Sequence, residues 1–200
     1  LDAGILLNLD TEDDDELTIG CAGGIDVSAG GKYKVEKASS GSCGFRLTVR
    51  GLTGGHSGMD IYKGRANANK LINRVLLSAK EKFDLRISVI DGGGLRNAIP
   101  RESFAEVVIP AADADAFIAL IKEEEKILQA EYKTTDPKLN IAAEKINTPD
   151  MVMVAAYQYA LLRTIGACPN GIYRMSPEIN GIVQTSNNLA RVLVRDGAFT

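Results

Sequence analysis

The chain contains one histidine, His56, within the segment GLTGGHSGMD at residues 51–60. Imidazole is the side chain that changes protonation most readily near neutral pH, and it serves as a proton donor, a proton acceptor or a metal ligand. Four glycines surround it in this segment, and glycine is favoured where the backbone turns sharply or comes very close to another group. The segment therefore predicts a tight turn that presents the histidine, with an ordinary hairpin histidine as the alternative.

Two further polar residues, Asp10 and Asn97, are candidates for a binding role. Asp10 follows the apolar run at residues 4–9, which reads as a buried strand, and the carboxyl end of such a strand is where α/β sheets place ligands and metal-binding carboxylates. Taken alone, the acidic run that begins at Asp10 is more typical of a solvated loop. Asn97 lies in the segment LRNAIPRE, where the residues alone favour a turn ahead of Pro100.

Three familiar site motifs are excluded by their spacing. A serine-hydrolase elbow reads G-x-S-x-G, and Met59 stands where its last glycine is required. The acidic run fails as a calcium loop, because Asp15 occupies the position of the required glycine and Cys21 that of the required glutamate. The glycines of DGGGLRN have the spacing of neither a phosphate-binding loop nor a dinucleotide-binding turn.

Composition is typical of a soluble globular protein of the cytoplasm. The chain has 200 residues, 45% of them apolar, a formal charge of -3 and no apolar run long enough to cross a membrane. Its three cysteines form no C-x-x-C pair, which favours reduced thiols over a disulfide or zinc framework. The lack of a basic stripe argues against nucleic acid as a partner. Because both ends of the sequence read as parts of apolar strands, we expect a fragment of a longer protein.

Patterning predicts the elements that position the candidate residues. Strands are expected where apolar and polar residues alternate between turn residues, namely in YKVEK, GFRLTVRG, LRISVIDGGG and SFAEVVIP. Apolar residues at helical spacing predict helices over residues 66–83 and 111–132. A third helix is expected to begin with Thr148 as N-cap, Pro149 at its first position and Asp150 in its first turn, and to end before Gly166. This order predicts an α+β fold, an antiparallel β-sheet with helices packed on one face.

Four segments, in order along the chain, carry a resemblance to a known family. They are GILLNLDTEDDDELTIGCAGG, GLTGGHSGMDI, GGGLRNAIPRESFA and PEINGIVQTSNNLARV. Together they resemble the aminoacyl-histidine dipeptidase group of the M20 metallopeptidases. The resemblance implies a zinc-dependent catalytic domain with two metal ions per active site, and an inserted lid domain that makes the dimer contact. It assigns residues 1–24 to a remnant of the catalytic α/β domain and residues 25–200 to the lid/dimerisation domain, truncated at its C-terminus.

The resemblance also implies a role for each candidate residue. Asp10 matches a metal-binding aspartate, and Asn97 matches a lid residue that helps to hold the substrate. His56 matches the lid histidine that reaches the partner subunit's active site in the dimer and stabilises the oxyanion of the tetrahedral intermediate. One histidine and one matched aspartate cannot complete a two-zinc site. We therefore expect this chain alone to bind no zinc tightly and to have no dipeptidase activity.

The function implied is that of the lid of a cytoplasmic zinc dipeptidase that acts as a homodimer on Xaa-His and other small unblocked dipeptides, with neither nucleic acid nor a membrane as partner. Two alternatives stay open, a noncatalytic dimerisation or binding module and an M20 exopeptidase of different specificity. A purely structural module would need none of Asp10, His56 and Asn97. Their joint presence therefore favours the enzyme.

Overall fold

The computed structural model describes residues 4, 5, 15 and 22–200. Within these residues the chain forms three α-helices, which are α1 (Ala68–Lys82), α2 (Ala114–Glu131) and α3 (Ala155–Ala167). The strands are β1 (Gly31–Lys32), β2 (Val35–Lys37), β3 (Ser42–Arg50), β4 (Gly55–His56), β5 (Arg86–Gly93), β6 (Ala98–Ile99), β7 (Ser103–Pro110), β8 (Asn140–Ile146), β9 (Met151–Met153), β10 (Gly171–Met175), β11 (Val183–Asn187), β12 (Arg191–Arg195) and β13 (Ala198–Phe199). Short 3-10 turns lie at Ile61–Lys63 and Ala111–Asp113.

A seven-stranded sheet forms the centre of the fold, in the order β1-β13-β12-β5-β7-β3-β8. Every neighbouring pair in it is antiparallel. Strand β3 shows that the sheet has two different faces. Its residues Phe45, Leu47 and Val49 are buried. Arg46 and Arg50, at alternate positions of the same strand, are exposed. Alternate side chains of a strand point to opposite faces, so the apolar residues of β3 lie on the covered face.

The helices cover that apolar face. Helix α1 packs across β3, β5 and β7, α2 packs beside it over β8, and α3 packs against α1. Phe117 of α2 is fully buried, and its ring lies 5.1 Å from the ring of Phe45 between centroids. One hydrophobic cluster joins the buried residues of the sheet to those of the three helices. The predicted α+β fold, an antiparallel sheet with helices on one face, is confirmed.

The predicted start of the third helix is wrong. Thr148 and Pro149 precede a strand, β9, in which Met153 pairs with Val35 of β2, and helix α3 begins only at Ala155. Val152 and Met153 are buried, so burial and strand pairing outweigh the helix-start signal of the Thr-Pro-Asp sequence. Gly166 lies inside the last turn of α3 rather than beyond it.

The assignments near the N-terminus are not tested. Of the strand expected at residues 4–9, the structure describes only residues 4 and 5, which are exposed and outside any strand. Asp10 and most of the expected catalytic-domain remnant at residues 1–24 lie outside the described residues. In the described part of the chain, none of the helices is long and apolar enough to cross a membrane.

Candidate functional site

A two-stranded ribbon brings His56 and Asn97 together, although they lie 41 positions apart in the sequence. His56 lies opposite Ala98 in the pairing of β4 with β6. The Ser57 backbone N–H donates to the Asn97 carbonyl over 2.8 Å, and both His56 and Asn97 are exposed. Two of the three residues singled out in the sequence therefore occupy one surface. Asp10, the third, lies outside the described residues.

The His56 ring is oriented by the backbone of the turn that follows it. Its Nδ1 atom accepts hydrogen bonds from the backbone N–H groups of Gly58, over 3.1 Å, and of Met59, over 3.2 Å. In neutral imidazole one nitrogen accepts and the other carries the proton. Because Nδ1 is the acceptor here, the proton lies on Nε2 and is available on an exposed side chain as a hydrogen-bond donor.

Asp60 closes the turn. Its carboxylate accepts the His56 backbone N–H over 2.8 Å and the Lys63 ammonium over 2.6 Å, and Arg65 lies 3.6 Å from the same carboxylate. The hydrogen bond from Lys63, followed by that from the His56 backbone, lowers the pKa of the Asp60 carboxyl below its ordinary value. The carboxylate therefore stays charged at neutral pH and holds the two ends of the turn together.

Two glycines before His56 lie where neighbouring side chains leave no room for a Cβ atom. Gly55 has φ 139, a region that other residues rarely adopt. A methyl group added to it would lie 2.4 Å from a guanidinium nitrogen of Arg65 and 2.5 Å from a carboxylate oxygen of Asp60. Gly54, with φ 64, lies under the side chain of Arg101 in the same way. A side chain at either position would push the ion pair or Arg101 away.

A buried carboxylate that the sequence analysis did not single out fixes the base of the segment. Asp136 is 1% exposed, and its two oxygens accept the backbone N–H groups of Thr53, over 2.8 Å, and of Ala66, over 2.9 Å. These two residues bracket the whole segment that contains His56. The Asp-Pro sequence at residues 136–137 indicates a turn, but nothing local in it reveals a bond to residues 70 and 83 positions away.

An open cavity of about 600 Å³ lies beside the ribbon. Its lining includes Gly55 of β4, Ala98 of β6 and the neighbouring residues Leu95, Pro100 and Arg101. The size is in the range of small-molecule sites. The cavity offers space for a small ligand near the ribbon that carries His56.

The described residues do not by themselves form a zinc centre. No three His, Cys, Asp or Glu side chains come together within the part of the chain that the structure describes, whereas zinc sites in proteins use three or four such ligands. His56 has its Nδ1 atom committed to backbone donors. The arrangement around His56 thus fits hydrogen-bond donation better than metal binding.

Comparisons with known proteins give consistent matches. Residues 38–136 match the M20 family model described as a peptidase dimerisation domain. The chain is 38% identical over 196 residues to the cytosol non-specific dipeptidase of Escherichia coli strain K12, covering 98% of this chain and 40% of that protein. The fold is similar to the crystal structure of aminoacylhistidine dipeptidase from Vibrio alginolyticus, with a TM-score of 0.83 and 36% identity, covering 85% of this chain and 35% of that one. The chain therefore spans less than half the length of these dipeptidases.

Proposed function

This chain belongs to the M20 peptidases and contains their dimerisation domain, and from that premise we propose that it is the lid of a zinc-dependent dipeptidase in which His56 stabilises the transition state. The observation that carries the proposal is the orientation of the imidazole. Two backbone donors hold its Nδ1 atom, so its Nε2–H points away from the turn on an exposed side chain. That is the geometry of a preorganised hydrogen-bond donor.

The chemistry assigned to His56 is electrostatic. When a peptide carbonyl is attacked, negative charge develops on its oxygen, and a donor placed there stabilises the transition state more than the ground state. Loss of one such donor typically lowers kcat about 100-fold to 1000-fold. Asn97 has an exposed amide on the same ribbon, and an amide can donate to and accept from a peptide group. We assign it to substrate binding.

The wider assignments rest on the family and its named relatives. We propose a cytoplasmic homodimer that hydrolyses Xaa-His and other small unblocked dipeptides, with His56 reaching the active site of the partner subunit. Zinc supplies Lewis-acid chemistry to such enzymes when bound, and Asp10 is the residue of this chain proposed as one of its ligands. The other ligands would come from outside this chain, so the chain alone is expected to be inactive and to bind no zinc tightly.

The test is replacement of His56 in the full-length enzyme that we propose contains this chain. His56→Ala is expected to leave zinc content and dimer formation intact and to lower kcat by about 100-fold to 1000-fold with a smaller change in KM, because the lost hydrogen bond strengthens mainly in the transition state. Unchanged kcat would refute the catalytic role and leave a noncatalytic dimerisation module as the better interpretation. A panel of dipeptides with and without a C-terminal histidine separates Xaa-His preference from broad specificity.

A mixing experiment tests action across the dimer. A His56→Ala subunit and a subunit disabled at Asp10 are each expected to be inactive alone. In their heterodimer, one active site combines an intact metal-binding aspartate with an intact histidine from the partner, so part of the activity should return. If the subunits exchange and the mixture stays inactive, His56 acts within its own subunit or has a structural role.

A further inference from the structure

Side-chain amides connect helix α1 to the ribbon that carries His56 and Asn97. Asn67 is 3% exposed at the N-terminus of α1, and its Nδ2 atom donates to the side-chain oxygen of Asn188 over 3.3 Å. The amide of Asn188 in turn donates to the Ala98 carbonyl over 2.8 Å. Asn188 thus joins the first turn of a buried helix to a strand of the exposed ribbon.

The ribbon needs such a support because its own pairing is short. β4 and β6 contribute two residues each, and Ala98 lies directly opposite His56 in their pairing. Isolated two-stranded ribbons are only marginally stable in water. The Ala98 carbonyl receives a hydrogen bond from Asn188, a residue 90 positions away. Together with the bond from the Ala68 backbone N–H to the Pro100 carbonyl over 3.0 Å, it ties β6 to elements outside the ribbon.

The support is itself held firmly. Asn67 accepts the Asn69 backbone N–H over 2.9 Å as the cap of α1, and the side chains of Asn67 and Asn69 both donate to the Leu189 carbonyl, over 3.2 Å and 3.1 Å. The Leu189 backbone N–H donates to the side chain of Asn170 over 3.0 Å. The residue after Asn188 is therefore fixed by three asparagine side chains, which leaves Asn188 little freedom to move.

We propose that Asn188 is a positioning residue, which holds the ribbon through the Ala98 carbonyl so that the His56 imidazole and the Asn97 amide keep the geometry required for catalysis. Its catalytic consequence rests on the function proposed above. Its structural consequence, the placement of the His56 ring, does not, and the two can be measured separately.

The placement of the ring can be followed directly because the chain has a single histidine. A chain labelled with 15N at histidine gives imidazole signals from His56 alone, and these report the tautomer and the surroundings of the ring. Asn188→Asp keeps the shape of the side chain and removes the donor to Ala98. Asn187→Asp is the matched control, since the Asn187 side chain donates to the Pro169 carbonyl and, among the residues that the structure describes, makes no hydrogen bond to β4 or β6.

We expect Asn188→Asp to shift the His56 ring signals or to split them into a second set, and Asn187→Asp to leave them unchanged. In the full-length enzyme, Asn188→Asp should lower kcat by roughly 10-fold to 100-fold, the scale of a misplaced catalytic group, with zinc content and dimer formation retained. Asn188→Ala, which removes the donor without adding a charge, replaces the aspartate variant if thermal unfolding shows that the latter is not folded.

Each outcome decides the proposal. Unchanged ring signals in both Asn188 variants overturn it. If the Asn188 variants shift the ring signals but keep the kcat of the unchanged enzyme, while His56→Ala is inactive, then Asn188 has no catalytic consequence and the proposed function of His56 still stands. Shifted ring signals with full activity in both Asn188→Asp and His56→Ala support the structural link and refute the proposed function instead. Shifted signals together with a lowered kcat support both.

Discussion

Asp136 is the residue whose replacement tests the site's architecture most directly. Its two carboxylate oxygens accept the backbone N–H groups at the two ends of the segment that contains His56, at Thr53 and Ala66. Asp136→Asn keeps the size of the side chain but leaves one acceptor oxygen. The new NH2 group would face one of the two backbone N–H groups, so one hydrogen bond is lost and two donors are brought together.

The size of the effect follows from burial and charge. A hydrogen bond to a charged group contributes about 1.5–3 kcal/mol, and a buried donor left without a partner costs about 1–3 kcal/mol. Asp136 is 1% exposed, so water cannot replace the lost acceptor. We therefore expect Asp136→Asn to lower the free energy of unfolding by roughly 2–4 kcal/mol, a large part of the 5–15 kcal/mol typical of a domain.

The assay is equilibrium unfolding in urea, followed by circular dichroism. Asp84→Asn is the matched control, because the Asp84 side chain is 72% exposed and pairs with Lys80 at 3.4 Å on the surface. Such a pair contributes little, so the control should change the free energy of unfolding by less than about 0.5 kcal/mol. If Asp136→Asn unfolds at the same urea concentration as the control, Asp136 does not fix the base of the His56 segment.

Two further predictions concern the turn itself. Gly55→Ala should lower the free energy of unfolding by about 1–3 kcal/mol for its backbone conformation alone, and it should also displace the Asp60–Arg65 ion pair and shift the His56 ring signals. Gly64→Ala is the control, because Gly64 has φ 64 but nothing within 4 Å; it should cost about 1–2 kcal/mol and leave the ring signals unchanged. Equal ring signals in the two variants would contradict the steric argument. Because the folded-state pKa of Asp60 is lowered, its stabilising effect is present above the unfolded pKa of about 3.9 and is lost as the pH falls through the lower folded pKa. An acid titration of the His56 backbone amide signal, which reports the hydrogen bond to Asp60, should therefore show this bond being lost as the carboxyl is protonated, and Asp60→Asn, which has no carboxyl to titrate, should lack the step.

The sequence predicts those elements of the fold whose signals are local, and it misses others, including β8 of the main sheet. Alternation of apolar and polar residues identified β3, β5 and β7, and helical spacing identified α1 and α2. The start of α3 could not be read in this way, since Met151–Met153 pairs with β2 and a distant strand outweighs a local capping signal. The hairpin of β10 and β11 was not predicted, because most of its residues are exposed on both strands and show no alternation.

The residues of the site also differ in whether a local sequence signal identifies them. His56 and Asn97 could be singled out from motifs, and the glycine content of residues 51–60 pointed to a close-packed turn. Their neighbours Asp136 and Asn188 could not, because an aspartate before a proline and an asparagine among polar residues look like ordinary loop residues. Their importance comes from hydrogen bonds to residues 70 to 90 positions away, and such pairings are created only by the folded topology.

The edge of the sheet at β1 and β13 has a mechanical consequence. Gly31 pairs with Phe199 and Lys32 with Ala198, so the first and last strands of the sheet lie side by side, about 4.8 Å apart. Residues 22–30, which lead into β1, are exposed and outside any strand. The pairing of β1 with β13 covers only two residues of each strand, and short two-stranded pairings are marginally stable in water. A force that pulls residues 31 and 199 apart would therefore open this edge before it reaches the longer pairings of β3, β5 and β7.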